Sequence, residues 1–145
     1  MSTALLLQSR PDTSNRWTSS TGFGSLSGES PSRGGAKLVH DWSAVETHAA
    51  WVRGDVSIVD VREQNEHDAC RVANVPLVPL SELPGRVADL PVGRPLVVMC
   101  RSGQRSARVA QYLGDNGWTD EVHNLEGGIL AWAAAGLPYE GETPR

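Results

Sequence analysis

Seven consecutive residues, Cys100-Arg101-Ser102-Gly103-Gln104-Arg105-Ser106, bring together a nucleophile, a glycine and two cations. They follow an apolar, β-branched run, Pro95-Leu96-Val97-Val98-Met99, and lead into a stretch with helical periodicity from about Arg105 to Asn116. A cysteine between a buried strand and a helix stands where open α/β sheets collect their ligands, at the carboxyl end of a strand. Gly103 permits a tight turn, and Ser102 and Gln104 suit one. A loop that curls around one point aims its N–H groups at that point, and the following helix adds its positive end. Such surroundings lower a thiol pKa and stabilise an attached anion. The competing reading is a small buried hydrophobe at a strand end. A polar, glycine-containing loop with two arginines is poor core material, so the reactive reading is preferred.

The flanking elements follow from periodicity. Lys37-Leu38-Val39 reads as a first strand, and Asp41 as the cap of a helix from Trp42 to about Arg53, with Trp42, Val45, Ala49 and Val52 on its apolar face. Ser57 to Val61 reads as a buried strand and Glu63 to Ala69 as a short helix. Val72 to Val78 is irregular or short strand, because Pro76 and Pro79 argue against a long one. Ser81-Glu82-Leu83 opens a short helix, and Leu90 to Arg94 is a turn. After the helix ended by Asn116-Gly117, Glu121 to Leu125 is a strand. Gly127-Gly128 is a turn, and Ile129 to Ala135 is a last helix closed by Gly136 and Pro138. Alternating strands and helices predict a small α/β domain with a mostly parallel sheet.

The chain has 145 residues, about one domain's worth. Its net charge of −4 gives no global attraction to nucleic acid or anionic membrane, and neither is expected as a partner. Residues 1–36 are rich in Ser, Thr, Gly and Pro and lack periodicity, so a disordered or loosely docked arm is expected. Trp17, Phe23 and Leu26 are its candidate contacts. Leu5-Leu6-Leu7 is too short for a signal h-region. With only two cysteines, Cys70 and Cys100, a reduced, cytoplasmic setting is the expectation. His40, His48, His67 and His123 make no metal spacing with either cysteine. Trp42, Trp51, Trp118 and Trp132 read as core anchors.

Four pieces in order resemble the single-domain rhodanese-like family. They are Val59-Asp60-Val61-Arg62-Glu63, Pro79-Leu80 with Ser81-Glu82-Leu83, the Cys100–Ser106 loop, and Asn124-Leu125-Glu126-Gly127-Gly128-Ile129 followed by Ala131-Trp132. Gly136-Leu137-Pro138 fits the tail. The similarity covers about residues 37–140, and the domain is placed at 37–142. The resemblance implies a three-layer open α/β fold around a mostly parallel five-stranded sheet. It implies a sulfurtransferase in which Cys100 takes a sulfane sulfur from thiosulfate or another persulfide donor and passes it to a thiol, a protein acceptor or cyanide. The N–H groups of Arg101 to Ser106 would cradle the outer sulfur anion. Arg105 and Arg101 would steer an anionic donor. Asp60 and Arg62 would hold the fold near the site, with Glu63, Glu66 or a carbonyl as partners for Arg62. No cofactor or metal is called for.

The chain leaves the family pattern at Cys70-Arg71-Val72-Ala73-Asn74-Val75, where Gly-His-Ile-Pro-Gly-Ala is common. Loss of both glycines and the proline demands a different backbone path or some strain. It also puts Cys70 where glycine is expected, as a buried residue or a resolving thiol. Two other functions compete. Cysteine phosphatases need five residues between cysteine and arginine, and here four separate Cys100 from Arg105. The tighter ring fits one sulfur or a small oxyanion, such as arsenate, better than a phosphate monoester. A non-catalytic binding or regulatory module is the other alternative, and the presence of Cys100 weighs against it.

Overall fold

The computed structural model describes residues 38–145. The arm expected over residues 1–36 lies outside them. Four parallel strands form the main sheet, in the order β1 (Asp41–Trp42), β5 (Val122–Leu125), β4 (Leu96–Met99) and β2 (Ser57–Asp60). A separate antiparallel pair joins β3 (Cys70–Arg71) to β6 (Glu140–Gly141). The helices are α1 (Ala44–Val52), α2 (Gln64–Ala69), α3 (Gln104–Asp115) and α4 (Gly128–Ala134), with 3₁₀ turns at Leu83–Gly85 and Val87–Asp89.

The five-stranded expectation is corrected to four. The fifth position beside β2 is reduced to one parallel bridge between Asp60 and Leu77. There Asp60 N–H donates to the Pro76 carbonyl at 2.9 Å and Val78 N–H to the Asp60 carbonyl at 2.9 Å. Pro76 and Pro79 lack N–H groups, so the ladder cannot extend.

The central strand β4 is buried on both faces, which explains its continuous apolar run from Leu96 to Met99. Side chains alternate across a strand. Leu96 and Val98 of β4 therefore join a core with Val109, Ala110 and Leu113 of α3. Val97 and Met99 join a second core with Ala44 and Ala50 of α1 and Ile129 and Trp132 of α4. The result is three layers. Cys100 continues the alternation onto the α3 side.

Two local expectations change at the start of the domain. Residues 38–40 are not strand; β1 is Asp41–Trp42, fixed by pairing with Asn124 and Leu125. The cap of α1 is Ser43, not Asp41. Ser43 Oγ accepts from Glu46 N–H at 3.1 Å, while Glu46 Oε1 accepts from Ser43 N–H at 3.3 Å, a reciprocal capping box. The buried face of α1 is Ala44, Thr47 and Ala50, whereas Val45 and Val52 are exposed. Small residues let α1 lie close to α4, where the edges of Trp51 and His48 pack on the Trp132 ring. The other expected strands, α2, α3 and α4 begin and end within one residue of their predicted limits.

At Cys70–Val75 the chain leaves β3 through a turn at Ala73-Asn74. Cys70 is buried and pairs with Gly141 across β3 and β6. The left-handed conformation falls on exposed Asn74, φ 71°, a residue type that adopts it at modest cost.

Candidate active site

The loop from Cys100 to Gly103 joins the end of β4 to the start of α3. Gly103 caps the helix with φ 96°, a backbone conformation open to glycine. A β-carbon there would stand 3.0 Å from Gly127 N and 3.2 Å from the Leu125 carbonyl. The turn brings donors onto one sulfur. Cys100 Sγ accepts from Gly103 N–H at 3.1 Å and from Ser106 N–H at 3.4 Å, with Ser106 Oγ at 3.3 Å.

The amides point inward because the carbonyls are held outward. Ile129 N–H donates to the Cys100 carbonyl at 2.9 Å and Leu130 N–H to the Arg101 carbonyl at 3.2 Å. The first turn of α4, whose N–H groups lack helical partners, thus fixes the loop's peptide planes. Gly128 is more than part of the expected turn: it lets α4 approach this closely.

Cys100 is fully buried. Burial pushes its thiol pKa up, but the polar contacts from Ser106, Gly103 and Ser102 outweigh it and hold the thiol below its usual value. Hydrogen bonds to the charged form favour it. A cysteine with this acidity and donor set is equipped to be a nucleophile and to carry an anion.

The two arginines are placed differently. Arg105 donates from Nη1 and Nη2 to the two oxygens of Glu66, both at 2.8 Å. This fork holds the Glu66 carboxyl down at about 2, with burial opposing and the Glu63 N–H assisting. Arg101 is exposed, and its Nε donates to the Arg145 carbonyl. Ser102 and Gln104 lie on an open cleft with Gly103, Asp41, Asn124 and Glu126.

Asp60 and Arg62 form a buried pair behind the loop, 2.8 Å apart, with side chains 1% and 3% exposed. Arg62 also donates to the Cys70 carbonyl at 2.7 Å and the Glu66 carbonyl at 3.3 Å. Its Nη1 is 3.8 Å from Cys70 Sγ. Of the partners expected for Arg62, backbone carbonyls are used, those of Cys70 and Glu66; the Glu66 carboxylate goes to Arg105. A cavity of about 300 Å³ beside the loop is lined by Arg62, Glu66, Cys70, Arg101 and the chain segment from Glu142 to Arg145.

Three residues near the loop were not singled out for the site from sequence. Glu66 anchors Arg105. Gly128 admits the loop's carbonyls. Asn124 accepts the Ser106 hydroxyl proton on Oδ1 at 2.6 Å and donates from Nδ2 to Asp41 at 3.0 Å. Asn124 and Gly128 fall inside a quoted motif, yet only the tertiary contact of β5 and α4 with the loop gives them a role. No group of side chains suited to hold a metal ion occurs among the described residues, and none of their helices is long and apolar enough to cross a membrane.

The family model described as rhodanese-like domain matches residues 43–135. A sulfurtransferase from Allochromatium vinosum is 39% identical over 84 residues, which span 58% of this chain and 78% of that protein. An uncharacterized Bacillus subtilis protein, YqhL, is 37% identical over 75 residues, 52% of this chain and 59% of its own length. A crystal structure of a rhodanese-related protein from Thermoplasma volcanium superposes with a TM-score of 0.63 at 28% identity, covering 71% of this chain and 99% of that one.

Proposed function

The chain belongs to the rhodanese-like domain family, and from that premise we propose that it is a sulfurtransferase whose Cys100 carries the transferred sulfur as a persulfide. The single observation that carries this reading is the convergence of Gly103 N–H and Ser106 N–H on Cys100 Sγ within 3.4 Å, with the Ser106 hydroxyl oxygen beside it at 3.3 Å.

In the first step the Cys100 thiolate attacks the sulfane sulfur of a donor such as thiosulfate. A new S–S bond forms, the donor's S–S bond breaks, and sulfite leaves with the electron pair. The outer persulfide sulfur then bears the negative charge. In this reading the loop's N–H groups, of which those of Gly103 and Ser106 already donate to Cys100 Sγ, stabilise that charge as an anion site of the oxyanion-hole kind. In the second step a thiolate or cyanide attacks the outer sulfur, and Cys100 leaves as thiolate. A leaving thiolate of lowered pKa departs faster, so the same hydrogen bonds serve both steps. Arg101, exposed at the rim, supplies positive charge for an anionic donor. Arg105 braces the loop through Glu66.

Phosphate monoester hydrolysis is disfavoured by the same geometry. Four residues separate Cys100 from Arg105, and both terminal nitrogens of Arg105 are engaged by Glu66. The guanidinium that would grip phosphoryl oxygens is thus already occupied.

The test is mass spectrometry of the intact protein and its peptides after incubation with thiosulfate. One added sulfur should appear on Cys100, be removed by cyanide with release of thiocyanate, and be absent from Cys100→Ala. Absence of the adduct from the wild type, or its appearance on Cys70 alone, overturns the assignment.

A further inference from the structure

The Ser106 hydroxyl has one proton and two neighbours that could receive it. Asn124 Oδ1 is 2.6 Å away and Cys100 Sγ is 3.3 Å away. Asn124 Oδ1 is only an acceptor, so the short contact requires Ser106 to be the donor. The amide cannot present its other end. Nδ2 donates to Asp41 Oδ1 at 3.0 Å, and a flipped amide would set its oxygen against that carboxylate. The Ser106 proton is therefore drawn toward Asn124, and its lone pairs face the sulfur. In that state the hydroxyl can accept from the neutral thiol but cannot donate to the thiolate.

We propose that Asp41 and Asn124 are positioning residues that withhold the Ser106 proton from Cys100, so that an exposed carboxylate on β1 sets how readily the buried thiol ionises. The chain of contacts runs Asp41, Asn124, Ser106, Cys100 and joins β1, β5, α3 and the end of β4. Asp41 is exposed and lies on the same open cleft as Ser102, Gly103 and Gln104. A polar group entering that cleft and binding Asp41 would free the amide to turn. Asn124 would then donate to Ser106 Oγ, and Ser106 would donate to the thiolate. Nucleophilicity is thereby coupled to occupancy of the cleft on which Asp41 and the loop residues Ser102, Gly103 and Gln104 lie.

Other charged groups surround Cys100. Arg105 on α3 is held by Glu66 on α2, and Arg101 lies on the loop itself. The Asp60–Arg62 pair lies at the end of β2, and Glu126 follows β5 on the cleft with Asp41. None of these touches the Ser106 hydroxyl in the contacts described, so the route from Asp41 can be separated from them.

The experiment follows iodoacetamide alkylation of Cys100 against pH, with the labelled cysteine identified by peptide mass spectrometry. Asp41→Asn makes either amide orientation acceptable and should lower the midpoint by about one unit, a tenfold gain in thiolate below it. Asp41→Glu should restore the wild-type profile. Asp41→Asn should have no effect in a Ser106→Ala background. Should Ser106→Ala not fold, salt separates the routes. A through-space effect of an exposed charge is screened by salt, whereas a hydrogen-bond effect persists. An unmoved midpoint in Asp41→Asn, an equal shift without the Ser106 hydroxyl, or a shift abolished by salt overturns the proposal. The inference takes Cys100 as the nucleophile, but alkylation involves no sulfur transfer. Failure to load sulfur from thiosulfate would thus refute the proposed function and leave this result standing.

Discussion

Gly128 lies so close to the backbone of Cys100 that a β-carbon on it would stand 2.4 Å from the Cys100 carbonyl oxygen. The same β-carbon would stand 2.4 Å from the Arg101 carbonyl, and φ at Gly128 is 59°. Loop and helix share this contact. Gly128→Ala should destabilise the domain by about 2–4 kcal/mol, from left-handed strain together with overpacking. It should also slow Cys100 alkylation by turning the loop's amides off the sulfur. Gly136→Ala is the control, since Gly136 has φ 78° but open space around it. Its cost should be about 1 kcal/mol, with the alkylation rate unchanged. Equal melting temperatures for the two variants would refute the packing argument.

The Glu66–Arg105 fork predicts a dependence on acid. The folded-state pKa of Glu66 is depressed from 4.5 to about 2, chiefly by the Arg105 hydrogen bonds. A depressed carboxyl contributes stability that is fully present above its unfolded value. That contribution is lost as pH falls through the folded value. Glu66→Gln should therefore cost about 1–2 kcal/mol near neutral pH, allowing for solvent screening of a partly exposed pair. The difference from wild type should shrink below about pH 4.5 and vanish only below about pH 2. Urea titrations at several pH values check this; a pH-independent difference would contradict it.

The Asp60–Arg62 pair behaves differently because it is nearly dry, with side chains 1% and 3% exposed. Removing one partner strands the other. Arg62→Met should cost about 3–5 kcal/mol by leaving the Asp60 carboxylate buried and unpaired. It also removes the hydrogen bonds that Arg62 gives to the Cys70 and Glu66 carbonyls. Asp60→Asn with Arg62→Met should recover part of that loss. A double variant no more stable than Arg62→Met would show that the carbonyl contacts, not the stranded charge, dominate.

The legibility of this site in the sequence varied with the range of the interactions involved. Leu96 to Met99 announces itself as a strand buried on both faces, because its apolar run needs no pairing partner to be recognised. The strand-to-helix turn at Cys100–Gly103 follows from it. The first strand is hard to place because β-branched Val39 outweighs Asp41-Trp42, whose strand exists only through its register with Asn124 and Leu125. A local signal was nevertheless present: Ser43 followed three residues later by Glu46 is a capping-box spacing, and it places the helix correctly. Trp132 was legible as a core anchor, fully buried with Nε1 donating to the Pro138 carbonyl at 2.8 Å. The β3–β6 pair joins Cys70–Arg71 to Glu140–Gly141. No periodicity can reveal two-residue strands that meet across most of the domain. The four-residue route Asp41–Asn124–Ser106–Cys100 was hidden for the same reason.

The single bridge between Asp60 and Leu77 bears on how copies of this chain behave near one another. An open sheet invites aggregation wherever a long edge exposes consecutive N–H and C=O groups. At one border β1 contributes only Asp41 and Trp42. At the other, the segment beside β2 is interrupted by Pro76 and Pro79, which carry no N–H to offer an incoming strand. Neither border can template a strand from a second molecule. The prolines that cost the sheet its fifth strand therefore also guard it against edge-to-edge growth.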